Sequence, residues 1–295
     1  MKKYVIAVDG GGTKTVGTLA DLNGEVLNYK VCGASNPNDI GEEASAKMIS
    51  SLVRRLADEA DGWITAVYAG ISGAVGHEKV LKRAIHKACP DTTVRVESDV
   101  YNLFGLLPGD PDRDSAAIIC GTGSVCFVRK DGELHRIGGW GYLLDSFGGA
   151  YSVGRDGLEA ALRQADGRGA RTSLYERAEA YLGDRPEDCI GKIYKGGKPY
   201  IAGFAPEVFR AAEENDVIAM SIAERAVDAI GEYVKIAGKI LDRDCFDCII
   251  GGGMMNDPLM KKMLCSLSGV NLIYPEREQV FGALNQALKM TNMND

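Results

Sequence analysis

Apolar residues are spaced in two different ways in the first part of the chain. Short, dense apolar runs predict buried strands, and apolar side chains spaced three or four residues apart predict amphipathic helices. An Asn23-Gly24 pair lies between the second and third runs and is typical of a tight hairpin turn. The pattern predicts strands at 3–8, 16–21, 25–31, 64–70 and 93–97, and helices at 41–59, 77–88 and 99–107.

The same order of elements begins again after a segment rich in proline and glycine. Residues 108–112, PGDPD, form the clearest break in the chain. Beyond this break the pattern predicts strands at 115–120, 125–130 and 133–137, a mostly helical region over 148–241, and a strand at 247–250. We infer an internal duplication, with one domain at 1–112 and a second at 113–295 that contains a helical insertion.

Three of the predicted strands are each followed by a cluster of glycines. Glycines let backbone N–H groups converge on an anion, and hydroxyl and lysine side chains add further donors. The sequence therefore predicts phosphate-binding turns. No Gly-Lys pair is followed by Ser or Thr, as a P-loop requires, and Thr15 stands where a dinucleotide fingerprint beginning at Gly10 requires Gly or Ala. The clusters are Gly10, Gly11 and Gly12 before Thr13 and Lys14; Gly121, Thr122, Gly123 and Ser124; and Gly251, Gly252 and Gly253 before Asn256.

Composition narrows the class of partner. A chain of 295 residues with 45% apolar content can bury a sizeable core. The net charge of -7 is spread along the chain without a basic block, which argues against nucleic acid, and no apolar stretch approaches a membrane span. The first residues lack a secretory pattern. Most of the eight cysteines lie among apolar neighbours, which indicates a reducing cytoplasm. We expect a cytoplasmic protein that binds small, phosphorylated ligands.

The glycine turns resemble the phosphate 1, phosphate 2 and adenosine motifs of the actin-like ATPase and sugar kinase superfamily. More narrowly, the chain resembles the N-acetylglucosamine kinase branch of the BadF/BadG/BcrA/BcrD ATPase family. The segments that carry this resemblance are Gly33-Ala34-Ser35-Asn36, Ala69-Gly70-Ile71-Ser72-Gly73, Glu97-Ser98-Asp99, Gly138 to Tyr151, and Gly282-Ala283-Leu284.

This resemblance implies an α/β fold of two ribonuclease-H-like domains, with ATP and Mg²⁺ in the cleft between them. It implies a kinase that transfers a phosphoryl group to an amino sugar, with the 6-hydroxyl favoured, and a homodimer. All the glycine-cluster residues named above would bind the nucleotide, and Asp9 would be the Mg²⁺ partner. The sugar would be bound by Asn36, Ser72, Asp99, Gly139, Trp140 and Asp145.

Each candidate side chain also has a purely structural interpretation. Asp99 is either the base that accepts the hydroxyl proton or the N-cap of a helix. Asp9 is either a partner of Mg²⁺, through water, or a turn residue. Lys14 contacts phosphate or solvent. Asn36 precedes Pro37 and either binds sugar or caps the next element. Trp140, with a glycine on each side, is expected in a loop.

The chain departs from the family pattern around the predicted sugar site. The branch usually reads GDEGS after the tryptophan loop, whereas this chain has Asp145-Ser146-Phe147-Gly148-Gly149, so Asp145 is the remaining acid. Val125 stands where an asparagine often follows the second turn. These differences leave glucosamine, N-acetylglucosamine, N-acetylmuramic acid or another sugar as the acceptor.

Two alternative functions stay open at this point. One is an ATP-driven activator of a 2-hydroxyacyl-CoA dehydratase or benzoyl-CoA reductase, which would hold an iron-sulfur cluster through cysteines; Cys120 and Cys126 flank the second turn. The other is a non-catalytic sugar sensor with a degenerate site.

Overall fold

The computed structural model describes residues 2–110, 112–145 and 147–292. The chain divides into two compact units. Unit 1 contains the described residues of Met1–Pro111 together with those of Pro275–Asp295, and unit 2 spans Asp112–Tyr274.

Unit 1 is built around a sheet whose strand order is β3-β2-β1-β4-β5. β1, β2 and β3 form the predicted antiparallel meander, and β4 and β5 continue the sheet in parallel with β1. The elements are β1 (Lys3–Gly10), β2 (Thr15–Asp21), β3 (Val26–Cys32), α1 (Pro37–Ile40), α2 (Glu42–Ala57), β4 (Trp63–Ile71), α3 (Glu78–Ala88), β5 (Thr93–Glu97) and α4 (Val100–Phe104).

Helices bury both faces of this sheet. Ile49 and Leu52 of α2 and Leu81 of α3 pack with Ile6 and Val8 of β1 on one face. A helix from the end of the chain covers the other face, as described below. Because β1, β4 and β5 run in parallel, their carboxyl ends meet at one edge, where the polar residues that follow them lie close together.

Unit 2 contains a second sheet, of order β10-β9-β6-β7-β8. β6, β7 and β8 are antiparallel, whereas β9 and β10 run in parallel with β6. The elements are β6 (Ser115–Cys120), β7 (Ser124–Lys130), β8 (Glu133–Ile137), α5 (Ala150–Ala165), α6 (Leu174–Leu182), α7 (Ile190–Ala202), α8 (Ala205–Glu213), α9 (Val217–Leu241), β9 (Phe246–Gly251), α10 (Pro258–Leu264) and β10 (Val270–Ile273).

The two sheets have the same connectivity. With β6 to β10 taken as counterparts of β1 to β5, both orders read third, second, first, fourth, fifth. The duplication inferred from the sequence is therefore present in the topology, and the predicted class, α/β with two ribonuclease-H-like units, is confirmed. Among the described residues, no helix has the length and apolar character that crossing a membrane requires.

The last helix, α11 (Gln279–Asn292), differs from the sequence-based boundary. We expected all of 113–295 in the second domain, but α11 belongs to unit 1. Its Ala283, Leu284 and Ala287 pack against Val5 and Ala7 of β1. The apolar face of α11 therefore fills the side of the first sheet that α2 and α3 leave open. The expected break at 108–112 agrees with the division, although Pro111 lies outside the described residues.

Candidate active site

The first glycine turn joins β1 to β2 and is held by backbone hydrogen bonds. Gly11 N–H donates to the Lys14 carbonyl at 2.9 Å, and the Gly11 carbonyl accepts from Ser35 N–H at 3.0 Å. In the described part of the chain, the N–H groups of Gly12 and Thr13 donate to no protein acceptor. These two residues are exposed, so their N–H groups are available to an anion.

Gly10 is a glycine for a different reason from the one expected. We predicted that the three consecutive glycines give a ligand room to approach the backbone. A Cβ at Gly10 would lie 2.4 Å from Ser35 Oγ and 2.5 Å from Ile71 Cδ1. The protein itself occupies that space, and the contacts at Gly11 and Gly12 are looser, at 3.3 Å from the Lys14 carbonyl oxygen and 3.0 Å from Asp39 Oδ2.

Asp9, at the end of β1, is held by a side chain that sequence reasoning missed. Asn102 Nδ2 donates to Asp9 Oδ1 at 2.6 Å and to the Gly70 carbonyl at 3.1 Å. Asn102 is fully buried, and a Cβ at Gly70 would lie 1.8 Å from its Oδ1. Asp9 is thus not a turn-capping residue. The buried amide of Asn102 fixes one of the carboxylate oxygens of Asp9. One indication of this contact was present in the sequence, an asparagine one helical turn after Asp99.

The environment of Asp9 disfavours its charged form. Burial, reinforced by the negative charge of Asp99, raises the pKa of Asp9 from 3.8 to about 6, although the Asn102 hydrogen bond opposes this shift. Magnesium prefers oxygen ligands and keeps part of its hydration shell. One fixed and one unshared carboxylate oxygen fit such a hydrated cation, whose charge would offset the cost of keeping Asp9 ionised.

Asp99 lies just before the first residue of α4, in the N-cap position. Its side chain makes no capping hydrogen bond to the helix. The Ser98 hydroxyl donates to Asp99 Oδ1 at 3.2 Å, and the Ser72 hydroxyl also lies beside the carboxylate. Burial raises the pKa of Asp99 despite these hydroxyls. The backbone N–H of Val100, the first residue of α4, also contributes a hydrogen bond to the carboxylate, so both interpretations of Asp99 stay open. The carboxyl group is easier to protonate than an exposed aspartate.

Asn36 and Ser72 lie at the same edge of the sheet. Asn36 Oδ1 accepts from Asn38 N–H at 2.9 Å and caps α1, as one of its two interpretations predicted. Ser72 N–H donates to the Gly10 carbonyl at 2.7 Å. Gly73 has a φ of +75°, and a Cβ there would lie 2.2 Å from Asn36 Oδ1. Asn36, Ser72, Asp9 and Asp99 are thus brought together, and the predicted sugar contact of Asn36 would use its amide nitrogen.

Lys14 has an acidic partner. Its Nζ lies 3.2 Å from Glu278 Oε1, and both side chains are more than half exposed, at 57% and 51%. The Tyr29 hydroxyl also donates to Glu278, and this bond together with Lys14 lowers the pKa of that carboxyl. Lys14 is therefore a partly neutralised cation, and its contact with phosphate stays a prediction.

The second glycine turn joins β6 to β7 and has a similar construction. Gly121 N–H donates to the Gly123 carbonyl at 2.9 Å, and the Gly121 and Thr122 carbonyls accept from the first residues of α5. The N–H groups of Thr122 and Gly123 meet no acceptor within the described ranges. Ser124 is different, because its buried hydroxyl donates to the Phe147 carbonyl and lies 3.1 Å from the Tyr233 hydroxyl. Of the turn hydroxyls, that of Thr122 is the one available to a ligand.

The third glycine cluster packs directly against the second turn. Gly252 has a φ of +107°, and a Cβ there would lie 2.3 Å from the Cys120 carbonyl oxygen. The Cβ position of Gly121 lies 3.9 Å from Gly253 N. Asn256 is exposed at the end of a short 3₁₀ turn, and Asp257 caps α10 by accepting from Met260 N–H at 3.0 Å. Two of the three predicted phosphate and adenosine motifs therefore form one surface of unit 2.

The loop around Trp140 lies beside this surface. Trp140 is 62% exposed, as expected for a loop, and the Arg136 guanidinium lies 4.5 Å from its ring centroid. Asp145 Oδ2 accepts from Trp140 N–H at 3.4 Å, so the remaining acid of the altered motif also closes its own loop. A Cβ at Gly139 would lie 2.6 Å from Val125 Cβ. Ser146 lies outside the described residues.

A cavity of about 260 Å³ in unit 2 joins the second turn to this loop. It also includes Lys198 from α7, a residue that sequence reasoning missed. Its sequence signal was the run Lys195-Gly196-Gly197-Lys198-Pro199, which interrupts an otherwise helical region. The cavity lining is Ile119, Gly121, Thr122, Gly123, Ser124, Val125, Gly139, Gly141, Tyr142, Asp145 and Lys198.

Comparison with known proteins agrees with these features. The model of the BadF/BadG/BcrA/BcrD ATPase family matches residues 6–287. The chain belongs to that family. Two relatives match nearly its whole length. The N-acetylmuramic acid/N-acetylglucosamine kinase of Clostridium acetobutylicum is 28% identical over 300 residues, covering 96% of this chain and 97% of the relative. The N-acetyl-D-glucosamine kinase of Dictyostelium discoideum is 27% identical over 327 residues, covering 97% and 98%.

Solved structures show the same fold. A protein of Porphyromonas gingivalis superposes on this BadF/BadG/BcrA/BcrD family member with a TM-score of 0.75 at 19% identity, covering 97% of this chain and 99% of that chain. A ROK family glucokinase from Streptomyces griseus, solved with glucose and AMPPNP, gives a TM-score of 0.58 at 17% identity and covers 96% and 98%. Both similarities concern the fold alone, so the chemistry of this protein is inferred from the residues of its site.

Proposed function

We propose that this protein is an ATP-dependent kinase that transfers the γ-phosphoryl group to a hydroxyl of an amino sugar. The observation that carries the proposal is the Asp99 carboxylate. It lies at the carboxyl ends of the parallel strands β1, β4 and β5, and it is flanked by the hydroxyls of Ser72 and Ser98. A partly buried carboxylate in this position suits a group that accepts a proton from a sugar hydroxyl.

The raised pKa of Asp99 supports the same role. A general base works best when its pKa approaches the working pH, because it must both be ionised and hold the proton it receives. Burial moves the pKa of Asp99 in that direction. Asp99 would take the proton as the sugar oxygen attacks phosphorus, while the backbone N–H groups of the glycine turns hold the phosphates in line.

The names of the relatives support ATP as the phosphoryl donor, and Mg²⁺ usually accompanies it. Asp9 would hold the hydrated cation, with Asn102 fixing the orientation of the carboxylate. When bound, the cation would neutralise charge on the β and γ oxygens. Gly11, Gly12 and Thr13 would bind phosphate from unit 1, with Lys14 as a further donor. In unit 2, the glycine motifs would bind the remainder of the nucleotide.

The acceptor is proposed to be an amino sugar because the two relatives are named for N-acetylglucosamine and, in one case, N-acetylmuramic acid. Asn36, Ser72 and Asp99 would contact its hydroxyls. Gly139, Trp140 and Asp145 are the further proposed contacts, with the ring face of Trp140 that Arg136 leaves uncovered packing against the sugar. Transfer to the 6-hydroxyl, a homodimer and a cytoplasmic location stay predictions.

The test is ADP release by the purified protein with ATP and Mg²⁺, across glucosamine, N-acetylglucosamine, N-acetylmuramic acid and plain hexoses. We expect one class of amino sugar to raise turnover. Asp99→Asn should reduce that turnover by ~100- to 10,000-fold, the range for loss of a general base. Asp58→Asn, at an exposed position after α2, is the control and should leave turnover unchanged. Equal activity in Asp99→Asn and wild type would contradict the proposal.

The iron-sulfur alternative finds no support at Cys120 and Cys126. Both thiols are fully buried in strands, and burial raises the pKa of each to about 12. Cluster ligands are thiolates, and such buried thiols are poor ones. The sensor alternative makes a different prediction in the same assay, which is sugar binding without ADP release.

A further inference from the structure

Lys198 lies at a kink in α7. Gly197 has φ 61° and ψ −155°, which is not helical, and Pro199 follows Lys198. Proline removes a backbone donor and disfavours helical geometry in the residue before it. The helix therefore changes direction within the run Lys195-Gly196-Gly197-Lys198-Pro199, and this change brings Lys198 to the wall of the cavity at the second glycine turn.

The ammonium group has no acidic partner at this position. Among the described side chains Lys198 forms neither an ion pair nor a hydrogen bond, and its contact is with the ring of Tyr142, whose centroid lies 5.3 Å from Nζ. The side chain is partly buried. A lysine in this setting has lost part of its hydration, and an anion in the cavity would compensate for that loss.

The same cavity contains donors that also lack acceptors. Thr122 and Gly123 line it, and their N–H groups are the free ones of the second turn. Two backbone donors and one unpaired cation form a set that suits a phosphate group. The lining also contains the carboxylate of Asp145, whose Oδ2 accepts from Trp140 N–H. Lys14, the cation expected to meet phosphate, differs because Glu278 already pairs with it.

We propose that Lys198 is a nucleotide-binding residue, whose ammonium group binds a phosphate oxygen of ATP or ADP held at the Thr122-Gly123 turn. This inference rests on the proposed function, because it takes the nucleotide as the ligand of that turn. It adds a cation from the helical insertion to a site otherwise made of backbone donors. The kink at Gly197 is then the feature that places it.

The test is calorimetric titration of the full-length protein with ADP and, separately, with adenosine. Lys198→Gln should weaken ADP binding by ~10-fold, as expected for loss of one charge-assisted hydrogen bond. Adenosine affinity should not change, because adenosine carries no phosphate. Lys198→Arg should retain most of the ADP affinity. Lys195→Gln removes an exposed lysine from the same helix, outside the cavity, and is the matched control.

Unchanged ADP affinity in Lys198→Gln would overturn the inference. An equal loss of ADP and adenosine affinity, with a lower melting temperature of the unliganded variant, would show that Lys198 only packs against Tyr142 and would also overturn it. If the wild-type protein binds ADP but phosphorylates no sugar, the proposed function fails by itself. The ADP affinities of wild type and Lys198→Gln can still be compared in that case, so the inference about Lys198 is tested independently. A wild-type protein that binds no ADP would overturn both.

Discussion

The two units share a strand order and a glycine turn after their first strand, but the charged groups around that turn differ. In unit 1 the neighbours of the turn include the carboxylates of Asp9 and Asp99, and its lysine is paired with Glu278. In unit 2 the cavity at the turn contains backbone donors, the unpaired Lys198 and the carboxylate of Asp145. Under the proposed function, the first copy of the scaffold would accept a proton and hold a cation, and the second would bind an anion.

This difference has an energetic cost in unit 1. Each of the two carboxylates is partly buried, and the charge of Asp99 makes Asp9 harder to ionise. Such crowding of like charges is unfavourable for folding and is typical of a functional site. In unit 2 the groups around the second turn cost little folding free energy. Backbone N–H groups are neutral, and no other cation of the described residues lines the cavity that contains Lys198.

After Asp99→Asn, the largest effect is expected from Asp9→Asn, which removes the acidic character at the end of β1. Asparagine can still accept the hydrogen bond from Asn102, so the variant should fold. We expect phosphorylation of the sugar to fall by ~100- to 1000-fold, as for loss of one key electrostatic group. The measurement is kcat alongside the melting temperature. Nearly wild-type kcat would show that Asp9 only fills its position in the sheet.

A smaller effect is expected in the pH dependence of stability. Burial raises the pKa of Asp9 from 3.8 to about 6, so the folded state binds this proton more tightly than the unfolded state. This contribution to the free energy of unfolding is fully present below about pH 4 and is lost as the pH rises through about 6. The total loss is about 3 kcal/mol. Asp9→Asn lacks this term. Unfolding of both proteins between pH 4 and 7.5, without nucleotide or metal, should show the variant gaining stability relative to wild type as pH rises. A constant difference would contradict the shifted pKa.

The smallest effect is expected at the second turn, from Thr122→Val. This change removes the free hydroxyl but keeps both backbone donors. We expect the KM for ATP to rise by only ~3- to 10-fold, the value of one neutral hydrogen bond, with kcat nearly unchanged. A loss as large as that of Asp9→Asn would mean that the turns of the two units do not divide the chemistry as proposed.

Much of the fold was predictable because it follows from the local pattern of apolar and polar residues. The alternation of apolar runs predicted the strands of both sheets except β10, and the return of that order after residue 112 predicted the duplication that the sheet topology confirms. Strand β10 and helix α11 were not predicted, and β10 has only four residues, too few for a periodic signal. Helix α7 lies within the region predicted to be mostly helical, but its kink was not predicted. The family was identified from the spacing of several motifs, which the family model confirms over residues 6–287.

The site was predictable in its residue types but less so in its contacts. The sequence indicated Asp9 and Asp99 as acids at strand ends, yet each had a structural interpretation that only hydrogen bonds could test. Asn102 and Lys198 were missed because the signals near them, an asparagine one helical turn after Asp99 and a run of glycine, lysine and proline, do not by themselves indicate a functional role. Their importance comes from what they face, namely the Asp9 carboxylate and the second glycine turn.

Most of the elements, the three glycine turns and the duplication could be read from the sequence, because these depend on residues close together along the chain. Tertiary structure alone decided which units the distant segments join. α11 packs beneath the first sheet, where a Cβ on Gly282 would lie 1.7 Å from the Asn102 carbonyl oxygen and Asn285 donates to the Gly105 carbonyl, 180 residues away in sequence. That packing supports α4, which carries the residue that fixes Asp9. Burial of an apolar helix face has no preferred sequence separation, so no local pattern could have specified it.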